Sequence, residues 1–209
     1  MKVKTLVLGP LETNTYIVEK GGEYLIVDPG DNSTYLDEIV KSKNVKYILL
    51  THGHYDHIAG VKRLSEMCKA KIVIHKEDAQ MLYDEKKSRY ADFFMDDQPK
   101  AKADIETSDG DVLSFAGADI KVMHTPGHTH GSVVYIFEDD NTLFSGDTLF
   151  KLSAGRTDLC DGDQFDNARQ ELKSLKKIAK LEGDYTVYPG HGESTSLEYE
   201  RQFNPYMRG

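Results

Sequence analysis

The segment Thr51–Ile58 reads THGHYDHI, and it carries His52, His54, Asp56 and His57 within six residues. Imidazole nitrogens and a carboxylate oxygen at this density suit a zinc, iron or manganese ion. A strand continuing through the segment would send alternate side chains to opposite faces. The donors can therefore meet at one point only if the chain turns here. Three later pieces offer further donors: His128 in TPGHT, Asp147 in SGDT and His191 in YPGHG. Each sits beside a glycine, where the backbone can bend close to a ligand. Singly, a His or Asp at such a place is ordinarily a turn or cap residue; the recurrence of one pattern reads as a donor set.

The elements that must position these residues show in the hydrophobic pattern. Residues Thr5–Leu8, Thr15–Val18 and Tyr24–Val27 read as strands, the last two joined by a Gly21-Gly22 turn. Val45–Leu50 is a short apolar strand that stops where the histidine cluster begins. Ser33 is placed to cap a helix carrying Leu36, Ile39 and Val40, and Val61, Leu64 and Met67 recur at helical spacing. Lys71–Ile74 follows as a strand. Residues 76–103 are polar and helical in part, with Met81, Leu82, Phe93 and Phe94 as anchors. Asp111–Phe115, Asp119–Met123, Ser132–Phe137 and Thr142–Ser145 read as consecutive strands. Phe165, Leu172, Leu175 and Ile178 mark a long amphipathic helix, and Tyr185–Tyr188 a last strand. A strand followed by a His-bearing loop thus occurs in both halves, which suggests two similar halves packed face to face. The architecture expected is α+β: a four-layer αββα sandwich of two mixed sheets with helices on the outer faces.

Composition narrows the function classes. The chain has 209 residues and no linker-like or low-complexity tract, which fits one domain over 1–209. No apolar run approaches the roughly 20 residues needed to cross a bilayer. The start lacks the apolar core of a signal peptide, and two cysteines are too few for a disulfide framework, so a reduced cytoplasmic protein is expected. A formal charge of −9, with acids flanking the Lys86–Arg89 run, argues against a nucleic-acid partner.

The motifs HGHYDH, TPGH, SGDT and PGHG, in this order, resemble the metallo-β-lactamase-fold superfamily, and within it glyoxalase II and its short relatives. ETNTYIV, VDPG and GDTLF followed by GRTD fit the same pattern, so the likeness runs from about residue 5 to residue 193. The resemblance implies two divalent metal ions, zinc first with iron or manganese as alternatives. It gives His52, His54 and His128 to one ion, Asp56, His57 and His191 to the other, and Asp147 to both. It also implies hydrolysis of a small-molecule acyl thioester by a metal-bridging hydroxide that Asp56 would help orient. Two other readings stay open: sulfur oxidation at one iron, as in persulfide dioxygenases, and a non-catalytic metal-binding module. A β-lactamase is disfavoured by the absence of an export signal. The resemblance departs in the C-terminal part, where the cationic glutathione-binding region of full-length glyoxalase II has no counterpart after Glu193. Arg156 is the candidate substrate contact, with a loop-fixing pair to Asp158 as its other role. His75, His124, His130 and Cys160 read as packing or exposed residues.

Overall fold

The computed structural model describes residues 1–95 and 97–208, which form two compact units, Met1–Thr107 and Ser108–Gly209. In the first unit, β1 (Lys2–Leu8), β2 (Thr13–Lys20) and β3 (Glu23–Val27) form an antiparallel meander. After α1 (Tyr35–Val40), β4 (Val45–Leu49) joins parallel to β3. The short α2 (Tyr55–Ile58) and α3 (Val61–Cys68) lead to β5 (Lys71–His75), and β6 (Ile105–Thr107) closes a six-stranded mixed sheet in sequence order. Leu25, Ile26, Val27, Ile48 and Leu49 are all buried, which explains why β3 and β4 are apolar on both faces. Leu36 and Val40 of α1 and Val61 and Leu64 of α3 pack with Ile26, Ile48 and Ile72 in one core.

The second unit holds β7 (Val112–Phe115), β8 (Ala118–His124), β9 (Val133–Phe137) and β10 (Thr142–Gly146), then a small hairpin of β11 (Leu149–Phe150) and β12 (Ser153–Ala154). Helix α4 (Gln164–Ala179), β13 (Thr186–Pro189), β14 (Thr195–Ser196) and α5 (Leu197–Phe203) complete it. Its sheet runs β14-β13-β10-β9-β8-β7. β9 is antiparallel to both β8 and β10, and β13 is parallel to β10. Strands β8, β10 and β13 therefore point the same way and end on one edge, and they are the three that precede His128, Asp147 and His191.

Two expectations change. The residue that precedes the first turn of α1 is Thr34, and Ser33 one position earlier donates its hydroxyl to Asp31 while accepting the Tyr35 amide at 3.4 Å. The larger change is in α4, where Phe165 is 84% exposed and Leu172 43% exposed. The buried face is instead Asn167, Glu171, Ser174, Leu175 and Ile178. Leu175 and Ile178 meet the apolar core of Val134, Leu143 and Val187, while Glu171 and Ser174 in the middle of the helix meet backbone that needs polar partners. Short elements with no clear periodicity, α2, β6, β11, β12, β14 and α5, were not legible. In the 76–103 segment Leu82 is buried as expected, and Phe93 and Phe94, though partly open to solvent, set their ring centres 4.7 and 5.5 Å from that of buried Tyr55. Among the described residues, no helix is long and apolar enough to cross a membrane.

These packing assignments order three substitutions in α4. Leu175→Ala should cost about 3 kcal/mol, as a buried large-to-small change does. Asp163→Ala should cost about 1 kcal/mol, because Asp163 caps α4 by accepting from the Phe165 and Asp166 amides. Phe165→Ala should stay within about 0.5 kcal/mol. Urea denaturation measures all three; a larger loss for Phe165 than for Leu175 would reverse the buried face.

Candidate metal centre

In the first unit the donor loop begins where β4 stops. Its backbone is held by two buried carboxylates. Asp28, at the end of β3, accepts from the Thr51 amide (2.8 Å) and the Thr51 hydroxyl (2.6 Å). Asp78 accepts from the Gly53 amide at 3.0 Å. Gly53 admits no side chain, because a Cβ there would lie 2.5 Å from Met81. Asp28 also sits 3.0 Å from His57 Nδ1. A carboxylate can only accept, so His57 carries its proton on Nδ1 and presents Nε2 as a lone pair. That Nε2 lies 3.3 Å from Asp56 Oδ2, which also accepts from the Thr13 hydroxyl at 2.9 Å. His52 Nδ1 meets the Thr51 hydroxyl oxygen at 3.2 Å, and that hydroxyl gives its proton to Asp28. His52 Nε2 is thereby left as its ligand atom. The His52 ring centre is 4.1 Å from that of His57 and 4.9 Å from that of His54. The four sequence-predicted donors of this unit do converge, and all are buried.

The second unit repeats the device. His128 Nδ1 donates to the Arg156 carbonyl at 2.7 Å, which again turns Nε2 outward as the lone pair. Asp147 Oδ2 lies 3.5 Å from His128 Nε2 and 3.5 Å from His191 Nε2. One carboxylate oxygen thus stands between two imidazoles. His191 is the most open of the set, at 29% exposed, with the Phe150 ring beside it. Histidines pinned through Nδ1, with Nε2 lone pairs gathered around carboxylates, fit a divalent N/O-ligated cation and give a neutral structural network no evident purpose.

Glu171 is one of three buried acids that sequence reasoning missed. It is 3% exposed, and its Oε2 accepts from the His128 amide at 3.0 Å. Burial, with the nearby Asp147 carboxylate adding to it, pushes the Glu171 carboxyl up to about 9 against the pull of the His128 amide. Asp28 and Asp78 were missed as well. VDPG reads as a turn, and Asp78 lies in a polar stretch with no period to mark it as buried.

The remaining candidates take structural places. Arg156 makes a two-pronged contact with Asp158, Nε to Oδ1 at 2.7 Å and Nη2 to Oδ2 at 2.5 Å. This pair holds the Asp158 carboxyl down to about 2. Its guanidinium charge is already answered, and a substrate anion would compete for it. His124 Nε2 packs on the His130 carbonyl, His130 is exposed, and buried His75 accepts from the Glu77 amide. Cys160 is half-buried and lends its carbonyl to Asn167.

Comparison with known proteins agrees with this geometry. The family model described as the metallo-beta-lactamase superfamily matches residues 8–191. The chain is similar to BLEG-1 B3 metallo-beta-lactamase, at 33% identity and a TM-score of 0.90 over 100% of both chains. It is similar to TTHA1623 in a di-iron-bound form, at 31% identity and a TM-score of 0.83 over 97% of this chain and 99% of that one. It is also 32% identical to hydroxyacylglutathione hydrolase of Francisella philomiragia subsp. philomiragia, over 91% of this chain and 68% of that protein. A whole-chain likeness of this kind bears out the expected fold class, two mixed β-sheets with helices.

Asp28 gives a test of the histidine geometry. Asp28→Asn keeps an acceptor for the Thr51 amide but sets an amide group against His57 Nδ1–H. Metal affinity should fall about 10–100-fold, as for other partners of ligand histidines. Competition with a chromophoric chelator measures it; unchanged affinity would mean that His57 does not depend on Asp28 for its orientation.

Proposed function

The chain belongs to the metallo-β-lactamase superfamily, and from that premise we propose that it is a dinuclear metal-dependent hydrolase of small acyl thioesters. On this reading the donors of the first unit, His52, His54, Asp56 and His57, and those of the second, His128, Asp147 and His191, serve one centre. His52, His54 and His128 would hold one ion, Asp56, His57 and His191 the other, and Asp147 would serve both. The observation that carries the reading is Asp147 Oδ2, equidistant at 3.5 Å from the Nε2 atoms of His128 and His191. A carboxylate set between donors assigned to different ions is what a bridge requires. The similarity to a di-iron-bound protein and to a hydroxyacylglutathione hydrolase supports both the ion count and the substrate class.

When bound, divalent cations supply Lewis acidity, which acidifies a water and polarises a carbonyl. The chain's own residues do the rest. Three neutral histidines as ligands would leave that acidity undiminished, and Asp56 is the group assigned to take a hydrogen bond from the attacking water. Its carboxylate is held on one side, because Oδ2 accepts from the Thr13 hydroxyl at 2.9 Å. A thiol is acidic enough to leave as the thiolate, so no residue need act as general acid. A second reading, opening of a β-lactam amide, rests on the likeness to BLEG-1 B3 metallo-beta-lactamase. An amide leaves less readily than a thiolate and needs a proton delivered to nitrogen. The donor groups described above include no candidate for this beyond Asp56, which favours the thioester.

Metal analysis of anaerobically purified protein should find two ions per chain, and strong chelation should abolish activity and lower the melting temperature. Asp147→Ala should weaken both sites; full double occupancy in that variant would remove the bridge. Asp56→Asn should lower kcat by about two orders of magnitude with a small change in KM. A panel of glutathione, coenzyme A and simple thiol esters beside a cephalosporin decides the substrate class. Turnover of the cephalosporin alone would move the protein to the second reading.

A further inference from the structure

We propose that Glu171 is a positioning residue of the metal centre: one buried side chain of α4 sets the backbone that carries His128 and packs behind the loop that carries Asp147. The inference rests on the reading of His128 and Asp147 as ligands. Residues 171, 174, 175 and 178 follow the i, i+3, i+4, i+7 spacing of a core-facing stripe. Aliphatic side chains would fill it at no desolvation cost, and at the later two positions, Leu175 and Ile178, they do. At the earlier two the helix buries a carboxyl and a hydroxyl, which costs free energy unless each finds a partner. Both find backbone of the same turn. Glu171 Oε2 accepts from the His128 amide at 3.0 Å, and the Ser174 hydroxyl donates to the Pro126 carbonyl at 2.8 Å. Two successive turns of α4 therefore grip the TPGH turn on either side of Gly127.

The fit at Gly127 leaves no slack. A Cβ there would stand 2.3 Å from Glu171 Oε2 and 2.5 Å from its Cα, and the residue's φ is +149°. The grip also reaches the neighbouring loop. A Cβ at Gly155 would lie 1.7 Å from the Asp147 carbonyl oxygen and 3.4 Å from Glu171 Oε1. One residue on, the Arg156 carbonyl accepts from His128 Nδ1. The Glu171 carboxyl thus stands where the His128 turn, the Asp147 backbone and the Gly155-Arg156 strap meet. A shift of this side chain would move the imidazole and the loop behind the bridging carboxylate together. Because metal affinity depends on donor placement to a few tenths of an ångström, a helix residue that touches no ion still sets it.

Cobalt(II) is the probe, since its visible absorption reports ligand geometry without reference to turnover. Glu171→Gln keeps the acceptor and the volume, and should bind cobalt within about threefold of the wild type with the same spectrum. Glu171→Met keeps the volume and loses the acceptor, and should bind about 10–100-fold more weakly with altered absorption bands. Glu171→Asp withdraws the acceptor by one methylene and should fall between them; it decides the matter if the Met variant does not fold. Thermal melting of the metal-free proteins separates lost folding from lost placement. Wild-type affinity and spectrum in folded Glu171→Met, or in Glu171→Asp where Met does not fold, would overturn the proposal. His128→Ala is the control: if it leaves cobalt binding untouched, the ligand reading itself fails and takes the positioning role with it. If it abolishes binding while the Glu171 variants bind normally, only the positioning role is lost.

Discussion

Each unit depends on one interaction, made three times in all: a buried side-chain carboxyl accepting the amide N–H of a loop that bears candidate metal donors. Asp28 holds Thr51, Asp78 holds Gly53 and Glu171 holds His128. Loops at strand ends have lost their ladder partners, and a buried amide without a partner costs about 1–3 kcal/mol. A backbone carbonyl could satisfy these amides, but only by bringing another strand to the place where the donors must stand. A side chain reaches in from a strand end or a helix and leaves the space open. The loops are thus fixed without being paired, as a centre with preset donor positions requires.

One of these acids, Asp28, also decides which way two imidazoles face. Asp28 takes the His57 Nδ1 proton directly and fixes His52 through the Thr51 hydroxyl, while a main-chain carbonyl does this for His128. Every such contact spends Nδ1, and for His57 and His128 it turns Nε2 toward Asp56 and Asp147. Asp28 stands in the left-handed region at φ +48°, a conformation that costs a non-glycine residue of order 1 kcal/mol. The strand pairing of its amide to the Leu49 carbonyl keeps it there. A relaxed backbone at this point would carry the carboxylate away from both Thr51 and His57, so the strain is tied to the orientation of two histidines.

What the sequence made legible follows from this division of labour. The side chains that gather in each unit were readable because four metal-capable residues in THGHYDHI are improbable as a surface turn, and because His128, Asp147 and His191 each recur beside glycine after an apolar strand. The sheets were readable because their central strands are buried on both faces and hence run apolar. The carboxyls that hold the loops were not. Nothing in the composition around Asp78 separates a buried acid from the solvated ones near it, and Asp28 looks like an ordinary turn residue in VDPG. In α4 the apolar spacing was misleading. Phe165 and Leu172 suggested a buried stripe, whereas the helix turns Glu171 and Ser174 inward and leaves Phe165 in solvent. Hydrophobic periodicity finds the face that meets other side chains; a face that meets bare backbone is polar, and it escapes that measure.

Strand direction explains why the donors of the second unit are so far apart in sequence and yet assemble. Because β9 runs antiparallel to both its neighbours and β13 runs parallel to β10, the strands before His128, Asp147 and His191 all end on one edge. The Gly190 amide then donates to the Gly146 carbonyl at 2.8 Å, which ties the His191 turn to the Asp147 turn directly. In the first unit β3 and β4 are parallel in the same way, and the Asp28 amide reaches the Leu49 carbonyl. In each unit, then, parallel pairing carries two loops to one edge, a main-chain bond locks them together, and a buried acid accepts the amide of a histidine-bearing loop. A substitution that leaves every donor in place can still disable such a centre by acting on any of these three layers.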